Sequence, residues 1–294
     1  MPAAVEMHIS YENMKTRVFF LLAALWAAAG SAAELNVMTF NMRYDNPKDG
    51  ENNWKFRRER VARVVVSNGI DVVGAQELLV NQFDDMKRLL PDYAAVGVGR
   101  GDGAEKGEFS AVFYRRDRFE LLDSGTFWLS ETPEKAGSKG WDGACERIAT
   151  WAVLRPRHGG GEFLFINTHL DHVGEKARRE GVRLLTERIG MLRGGRPVIL
   201  TGDFNADPAS SVIGHVLRGG VLRHVRDIAA ETRGTSWSFS GFGRVPEAER
   251  LLIDYIFVSD GFEALRYEVL PDKFGGEYVS DHAPVMSTLE FKER

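Results

Sequence analysis

Ten short apolar runs, spread from Leu35 to Phe291, constrain the fold of this chain more than any other feature of its sequence. Each is four to ten residues long and most are flanked by Gly, Pro, Asn, Asp or charged residues, which is the pattern of strands rather than of buried helices. They are Leu35 to Phe40, Ile70 to Ala75, Phe109 to Tyr114, Phe119 to Trp128, Ile148 to Leu154, Phe163 to Leu170, Val198 to Thr201, Ile253 to Val258, Phe262 to Leu270 and Val285 to Phe291. Helices are predicted at Trp54 to Ser67, Asn81 to Leu90, Gly174 to Leu192 and Ser210 to Leu217, where charged residues interrupt apolar ones at helical spacing. Some strands are separated by helices and others follow one another directly. That mixture fits sheets packed face to face with helices outside them, an α/β (α+β) arrangement. No Ser/Pro-rich linker and no fixed-period repeat divides residues 34–294, so they read as one domain. With 294 residues and 44% hydrophobic content, a large core needs no covalent staples. The single Cys145 can form no internal disulfide.

Polar side chains collect where these runs end. Asn41 follows the first run, Gln76 and Glu77 follow the second, and His169 lies near the end of the sixth. Asp203 and Asn205 follow the seventh, Asp254 sits inside the eighth, and Asp281 and His282 precede the last. Taken singly, Asp and Asn after a strand make turns, and a lone His is simply hydrogen-bonded. Together they fit one shared site, because strand ends bring distant segments to the same face of a layered protein.

The start of the chain reads as a targeting segment. Met14, Lys15, Thr16 and Arg17 form a positive stretch, Val18 to Ala29 is apolar, and Ser31, Ala32 and Ala33 supply the small residues of a cleavage site after Ala33. The apolar run is shorter than the roughly 20 residues a membrane span requires. Residues 1–13 read as an upstream extension without function, with the signal at 14–33. A secreted or periplasmic location follows. Removing 1–33 takes away Lys15, Arg17, Glu6 and Glu12, so the net charge stays at −4. That balance offers no electrostatic drive for tight nucleic-acid binding.

Thr39-Phe40-Asn41, Gln76-Glu77, Asn167-Thr168-His169-Leu170, Gly202-Asp203-Phe204-Asn205, Ile253-Asp254-Tyr255-Ile256 and Ser280-Asp281-His282 occur in this order. By them the chain resembles the endonuclease/exonuclease/phosphatase superfamily, the DNase I-like enzymes. Asn41 to Tyr44, Asp49 to Asn52 with Trp54, Phe127 to Ser130 and Asn167 to His172 are similar to a bacterial branch described as metal-dependent hydrolases. The resemblance implies a DNase I-like four-layer α/β/β/α sandwich of two mixed sheets and metal-assisted phosphoester hydrolysis. The metal it implies is Mg²⁺, with Mn²⁺ or Ca²⁺ as substitutes, on the hard oxygen ligands Glu77, Asn41 and Asp281. It makes Asp203 the general base, Asn205 the residue that orients water or a phosphate oxygen, and His169 and His282 donors to the phosphate. Asp254 becomes the orienting carboxylate of His282, and Glu108, ahead of Phe109 to Tyr114, that of His169; the alternative for Glu108 is the end of a Gly-rich loop. Arg147 matches a phosphate-contacting position, with a surface salt bridge as the alternative. Arg43, His172 and Trp141 lie beside the motifs, where they either line the pocket or pack and solvate. Lys176, Arg178, Arg179 and Arg183 read as a solvated helix face. Many relatives carry a basic residue two positions before the Asp of Ile-Asp-Tyr-Ile; here the position is Leu252, for which Arg250 either compensates or does not.

The expectation is a secreted Mg²⁺-dependent phosphoesterase, foremost a phosphodiesterase. An extracellular nuclease, a lipid phosphodiesterase and a non-catalytic binding module on the same fold are the alternatives. The partner expected is a small, carbohydrate- or lipid-derived phosphoester; the chain itself is expected to lack a membrane span and to be a monomer. Exported protein is expected to begin at Glu34; mass spectrometry that finds Met1 on protein recovered outside the cytoplasm contradicts the cleavage site.

Overall fold

Alternation along the strands sorts their side chains between different cores. In β1 (Glu34–Asn41) Leu35 and Val37 enter one hydrophobic cluster, Met38 and Phe40 enter another, and all four are buried. A strand buried on both faces belongs inside a layered structure. The computed structural model, which describes residues 34–292, has those layers. The expected signal at 14–33 and the stretch before it lie outside the described residues.

After β1 come a 3₁₀ segment (Pro47–Asn52), α1 (Trp54–Ser67), β2 (Val72–Leu78), α2 (Val80–Leu89), β3 (Tyr93–Val96), β4 (Phe109–Arg115), β5 (Phe119–Trp128), β6 (Ile148–Pro156) and β7 (Phe163–His169). Then follow α3 (Glu175–Leu192), β8 (Val198–Asp203), α4 (Ser211–Leu217), β9 (Arg223–His224), α5 (Val225–Ile228), β10 (Glu231–Gly234), a 3₁₀ turn (Glu247–Glu249), β11 (Asp254–Val258) and β12 (Phe262–Val269). A two-stranded ribbon, β13 (Lys273–Phe274) with β14 (Glu277–Tyr278), precedes β15 (Val285–Phe291). Seven strands form one sheet in the order β10-β12-β15-β1-β2-β4-β3, and six form the other in the order β5-β6-β7-β8-β11-β9. Both are mixed: β1 is parallel to β2 and antiparallel to β15, while β7 is parallel to β8 and antiparallel to β6.

Helices α1 and α2 cover the outer face of the first sheet through Val61, Val65 and Met86 on Phe40, Val73 and Phe113. Helices α3 and α4 cover the second through Val182, Leu185, Ile213 and Val216 on Leu164, Leu200 and Phe257. The result is a four-layer α/β/β/α sandwich. No helix among the described residues is long and apolar enough to cross a membrane.

The space between the sheets changes character along the strands. Every second residue faces inward, so β1 reads Leu35, Val37, Thr39, Asn41 and β7 reads Phe163, Phe165, Asn167, His169. The inward positions of β8 are Ile199, Thr201 and Asp203, and those of β11, read backwards, are Val258, Ile256 and Asp254. The apolar members form the inter-sheet core. Above it lies a layer of neutral polar groups centred on Asn167, and above that layer lie the ionisable ones. Asn167 Nδ2 donates to the carbonyls of Ala75 (2.9 Å) and Ala111 (3.0 Å) in the opposite sheet, and its Oδ1 accepts from Gln76 Nε2 (2.6 Å) and Thr201 Oγ1 (3.2 Å). Gly74 faces this layer: a Cβ there would collide with Thr201 Oγ1 and sit 2.6 Å from Asn167 Oδ1.

The four predicted helices are present with ends shifted by at most one residue, because Gly174 and Ser210 cap α3 and α4 rather than begin them. The second strand runs to Leu78 instead of ending at Ala75, carried past Gln76 and Glu77 by a register shift against β4. The short strands β3, β9, β10, β13 and β14 went unpredicted. At two to four residues they carry no periodic signal and owe their geometry to ladder pairing with a neighbour.

Asn167→Ala removes the side-chain donor to two carbonyls and the acceptor shared by Gln76 and Thr201 in a dry layer, so a loss of roughly 2–4 kcal/mol is expected from denaturant midpoints. A loss under about 1 kcal/mol contradicts a stabilising role for this amide.

Candidate active site

The ionisable layer opens into a cleft of about 440 Å³ whose floor is the ends of β1, β2, β7, β8 and β11. Asn41 sits between two carboxylates and donates to both, to Glu77 Oε1 and to Asp203 Oδ2, each at 3.0 Å. Its Oδ1 accepts the Arg43 amide. Glu77 reaches the cleft because the register shift in β2 puts it at φ 65, and its Oε2 accepts the Tyr44 amide at 3.1 Å. Arg43 at φ 56 and Asn205 at φ 46 share this left-handed conformation, which costs a non-glycine residue energy and is retained where the surroundings enforce it. The enforcement is visible: Asp203 Oδ1 accepts the Asn205 amide at 2.9 Å, and Asp49 takes the Arg43 guanidinium through Nε and Nη2. Arg43 Nη1 also lies 3.7 Å from Asp281 Oδ2.

Asp203 lies between two imidazoles. Its Oδ2 is 3.4 Å from His169 Nε2 and 3.8 Å from His282 Nε2. Burial, with the neighbouring Asp254 charge second, pushes Asp203 up to about 7, against the pull of His282 and two hydrogen bonds. His282 Nδ1 binds Asp254 Oδ2 at 2.8 Å. Although burial opposes its charge, the Asp254 carboxylate and hydrogen bond, with Asp203 and Asp281 behind them, raise His282 to about 10. His169 shifts the other way. Burial and the adjacent Arg147 and Arg100 cations hold it well below the ordinary imidazole range, so it is neutral. Its Nε2 lies 3.0 Å from Asn205 Nδ2.

Carboxylate crowding is what a hard divalent cation would relieve. Burial raises Asp281, and the Glu77 charge adds to the rise. Glu77, which burial would also raise, is held low by the His282 charge and by the Asn41 and Tyr44 donors. Oxygen donors at Glu77 and Asp281, with Asn41 beside Glu77, are a donor set that Mg²⁺ fits. Asp203, Asp254 and His282 are also spaced for a cation, although the imidazole there is spent on Asp254. A second such group, Cys145, Asp171 and His172, fits a cation poorly. Asp171 already accepts the amides of Ala144, Cys145, Val173 and Gly174, and Arg147 Nε lies 3.7 Å away.

Arg147 and His172 line the cleft together, Arg147 Nη2 and His172 Nδ1 being 3.0 Å apart. Arg147 is only 6% exposed, yet its Nε and Nη1 have no hydrogen-bond partner. The hydrogen bond expected from the His169 ring to Glu108 is not made. Glu108 Oε2 stays 4.0 Å from Nδ1 while Arg100 grips both carboxylate oxygens, at 2.6 and 2.8 Å. A buried carboxylate is better compensated by a bidentate guanidinium than by a neutral ring. Trp141 lies outside the cleft lining, and Arg250 does not replace the missing base, being stacked on Trp237 at 4.4 Å. Lys176, Arg179 and Arg183 are exposed, as a solvated helix face requires, and Arg178 and Arg179 also line a neighbouring groove. Arg100 and Tyr44 are cleft residues the sequence reading passed over; Arg100, the single guanidinium of the Gly-rich loop ahead of Glu108, was the available signal.

Residues 38–282 match the model of the Endonuclease/Exonuclease/phosphatase family. An endonuclease/exonuclease/phosphatase from Bacteroides vulgatus is 40% identical, with a TM-score of 0.85 over 88% of this chain and 100% of that one. A mannosyl-6-phosphatase from Bacteroides thetaiotaomicron is 39% identical, with a TM-score of 0.82 over 87% of this chain and 100% of that one. Nocturnin of Drosophila melanogaster is 27% identical over 58% of this chain, and the match spans only 27% of nocturnin's length.

Ring NMR of His282 is expected to show no titration below about pH 9, and Asp254→Asn is expected to bring its titration into the neutral range. A wild-type ring titrating near its ordinary value contradicts the Asp254 effect.

Proposed function

The chain belongs to the endonuclease/exonuclease/phosphatase family and is a hydrolase of phosphoester bonds, and from that premise we propose that it is an exported, divalent-metal-dependent enzyme acting on a phosphorylated sugar. The observation that carries the chemistry is Asp203 between His169 and His282 at 3.4 and 3.8 Å, in a cleft that also holds Glu77 and Asp281. The likeness to a mannosyl-6-phosphatase at 39% identity supports the sugar phosphate. The Lys15–Arg17 and Ser31–Ala33 pattern supports export, and the net charge of −4 favours a small substrate over a polyanion.

In this reading Glu77, Asp281 and Asn41 hold the metal ion. A hard cation bound there supplies positive charge for the phosphate oxygens and the departing alkoxide. Asp203 takes the proton of the attacking water, a task suited to a carboxylate near 7 because it is both free and basic at neutral pH. His282, fixed as imidazolium by Asp254, donates from Nε2 to a phosphate oxygen and stabilises the charge that grows there. Asn205 and neutral His169 orient the phosphate from the other side, and Arg147 adds a positive charge to the cleft wall. Phosphate mono- and diesters share these requirements; what differs is room for a second substituent.

Hydrolysis of p-nitrophenyl phosphate and bis-p-nitrophenyl phosphate, with EDTA and after return of Mg²⁺, Mn²⁺ or Ca²⁺, tests the reading. Activity is expected to be lost on chelation, and Glu77→Gln to lose on the order of a hundred-fold or more. Asp203 must be ionised and His282 protonated, so the rate is expected to fall as pH drops through about 7 and again as it rises through about 10. Full activity in EDTA overturns the metal role, and a rate unchanged from about pH 5 to 8 overturns Asp203 as base.

A further inference from the structure

The cleft does not end at Asn205. A second groove of about 310 Å³ opens beyond it, and Asn205 and Ile253 are walls of both spaces. One bank is α3, which contributes Arg178 and Arg179; the other is the segment between β8 and α4, which contributes Asp207 and Ser210. Leu251 lines it too and is 51% exposed, an unusual position for a leucine among buried neighbours. Arg178 is pre-positioned, since Nη1 donates to the carbonyl of Asp171 at 2.9 Å. Arg179 stands 52% exposed with Glu180 3.9 Å from its Nε.

The lining discriminates between occupants. Glu175 and Asp207 offset the two guanidinium charges, so the groove is no trap for a second phosphate. Its lining contains no aromatic ring, the feature on which nucleobases stack. Planar donors and acceptors around an apolar patch of Leu251 and Ile253 match a group with hydroxyls on its rim and C–H bonds on its face. Asn205 Nδ2 is 3.0 Å from His169, so whatever lies in the groove is one residue removed from the phosphate position. We propose that this groove binds a second glycosyl unit, and that the preferred substrate is a phosphorylated saccharide larger than a single sugar phosphate. The inference rests on the phosphorylated-sugar reading and extends it. The second unit reaches the groove either through a glycosidic bond to the phosphorylated sugar or through a second ester bond to the phosphorus.

Three probes separate these cases: mannose 6-phosphate, a 6-phosphorylated mannobiose, and a mannosyl-phospho-mannose diester. At least one two-sugar probe is expected to exceed mannose 6-phosphate by about tenfold or more in kcat/KM, and which one does identifies the linkage. Arg179→Ala and Leu251→Asp are expected to lower that preference several-fold, whereas Arg183→Ala, on the same helix but paired with Glu180 outside the groove, leaves it in place. Calorimetric binding of the same probes in EDTA reads the groove apart from turnover and is expected to show the same order. Equal kcat/KM and equal binding for one- and two-sugar probes, or a preference untouched by both groove variants, overturns the proposal. Hydrolysis of none of the probes, with activity on the chromogenic esters retained, overturns the sugar reading; a two-sugar binding preference in that case still supports the groove.

Discussion

One buried amide sets the height at which chemistry begins. Asn167 joins the two sheets by donating to backbone carbonyls of β2 and β4 while its oxygen collects Gln76 and Thr201. A neutral, satisfied amide tolerates the apolar floor beneath it; a carboxylate in its place would have to shed its charge or find a cation. It also separates the aromatic core around Phe163 and Phe165 from Asp203 and His169, one inward step further up the same strands. Asp203 and His282 can therefore be almost wholly buried and still open on one side to the cleft. The close approach of Gly74 to this layer is the matching requirement on the facing sheet.

The loops above depend on a second buried group. Arg57, on α1, is 0% exposed and donates to the carbonyls of Met42, Arg43, Asn52 and Val279. Three separate segments are thus held by one guanidinium: the stretch after β1, the end of the 3₁₀ segment, and the approach to Ser280, Asp281 and His282. Trp54 and Phe242 flank it with ring centroids at 5.6 and 5.5 Å. Burial lowers Arg57 to about 10, yet it stays charged at neutral pH. Its four carbonyl acceptors are the places where left-handed Arg43 and the Asp281 segment are anchored, which is how strain at the cleft is sustained without flexibility.

Most of the inner face was legible because strand periodicity and residue chemistry coincide in it. Asn41, His169, Asp203 and Asp254 all fall on inward positions at strand ends, and period two alone puts them on one side. Glu77 was legible only as a motif. No period predicts that β2 continues to Leu78 through a register shift that re-aims one side chain. Arg100 and Glu108 were harder still, since their pairing depends on how a loop of glycines folds back, with Gly103 and Gly107 at positive φ and the Gly101 amide on the Lys106 carbonyl. Arg178 and Arg179 looked like any solvated helix face, because the groove they line is made by a segment some thirty residues later.

The two histidines show why residue type alone does not assign a role. Both are buried and both flank Asp203, so desolvation acts on them alike and opposes charge in each. What differs is the next neighbour. His282 faces Asp254 at hydrogen-bond distance, and a carboxylate at 2.8 Å in a dry site outweighs the desolvation penalty. His169 has Glu108 4.0 Å from Nδ1, but Arg100 has already taken that carboxylate, and Arg147 adds a cation of its own. The same ring is therefore a fixed cation on one side of Asp203 and a neutral partner on the other. A fixed imidazolium is a donor that never has to be charged during turnover, whereas a neutral ring leaves one nitrogen able to accept. Asp203 can then gain and lose its proton near neutral pH without either neighbour changing state, because His282 holds its proton to about 10 and His169 does not take one up.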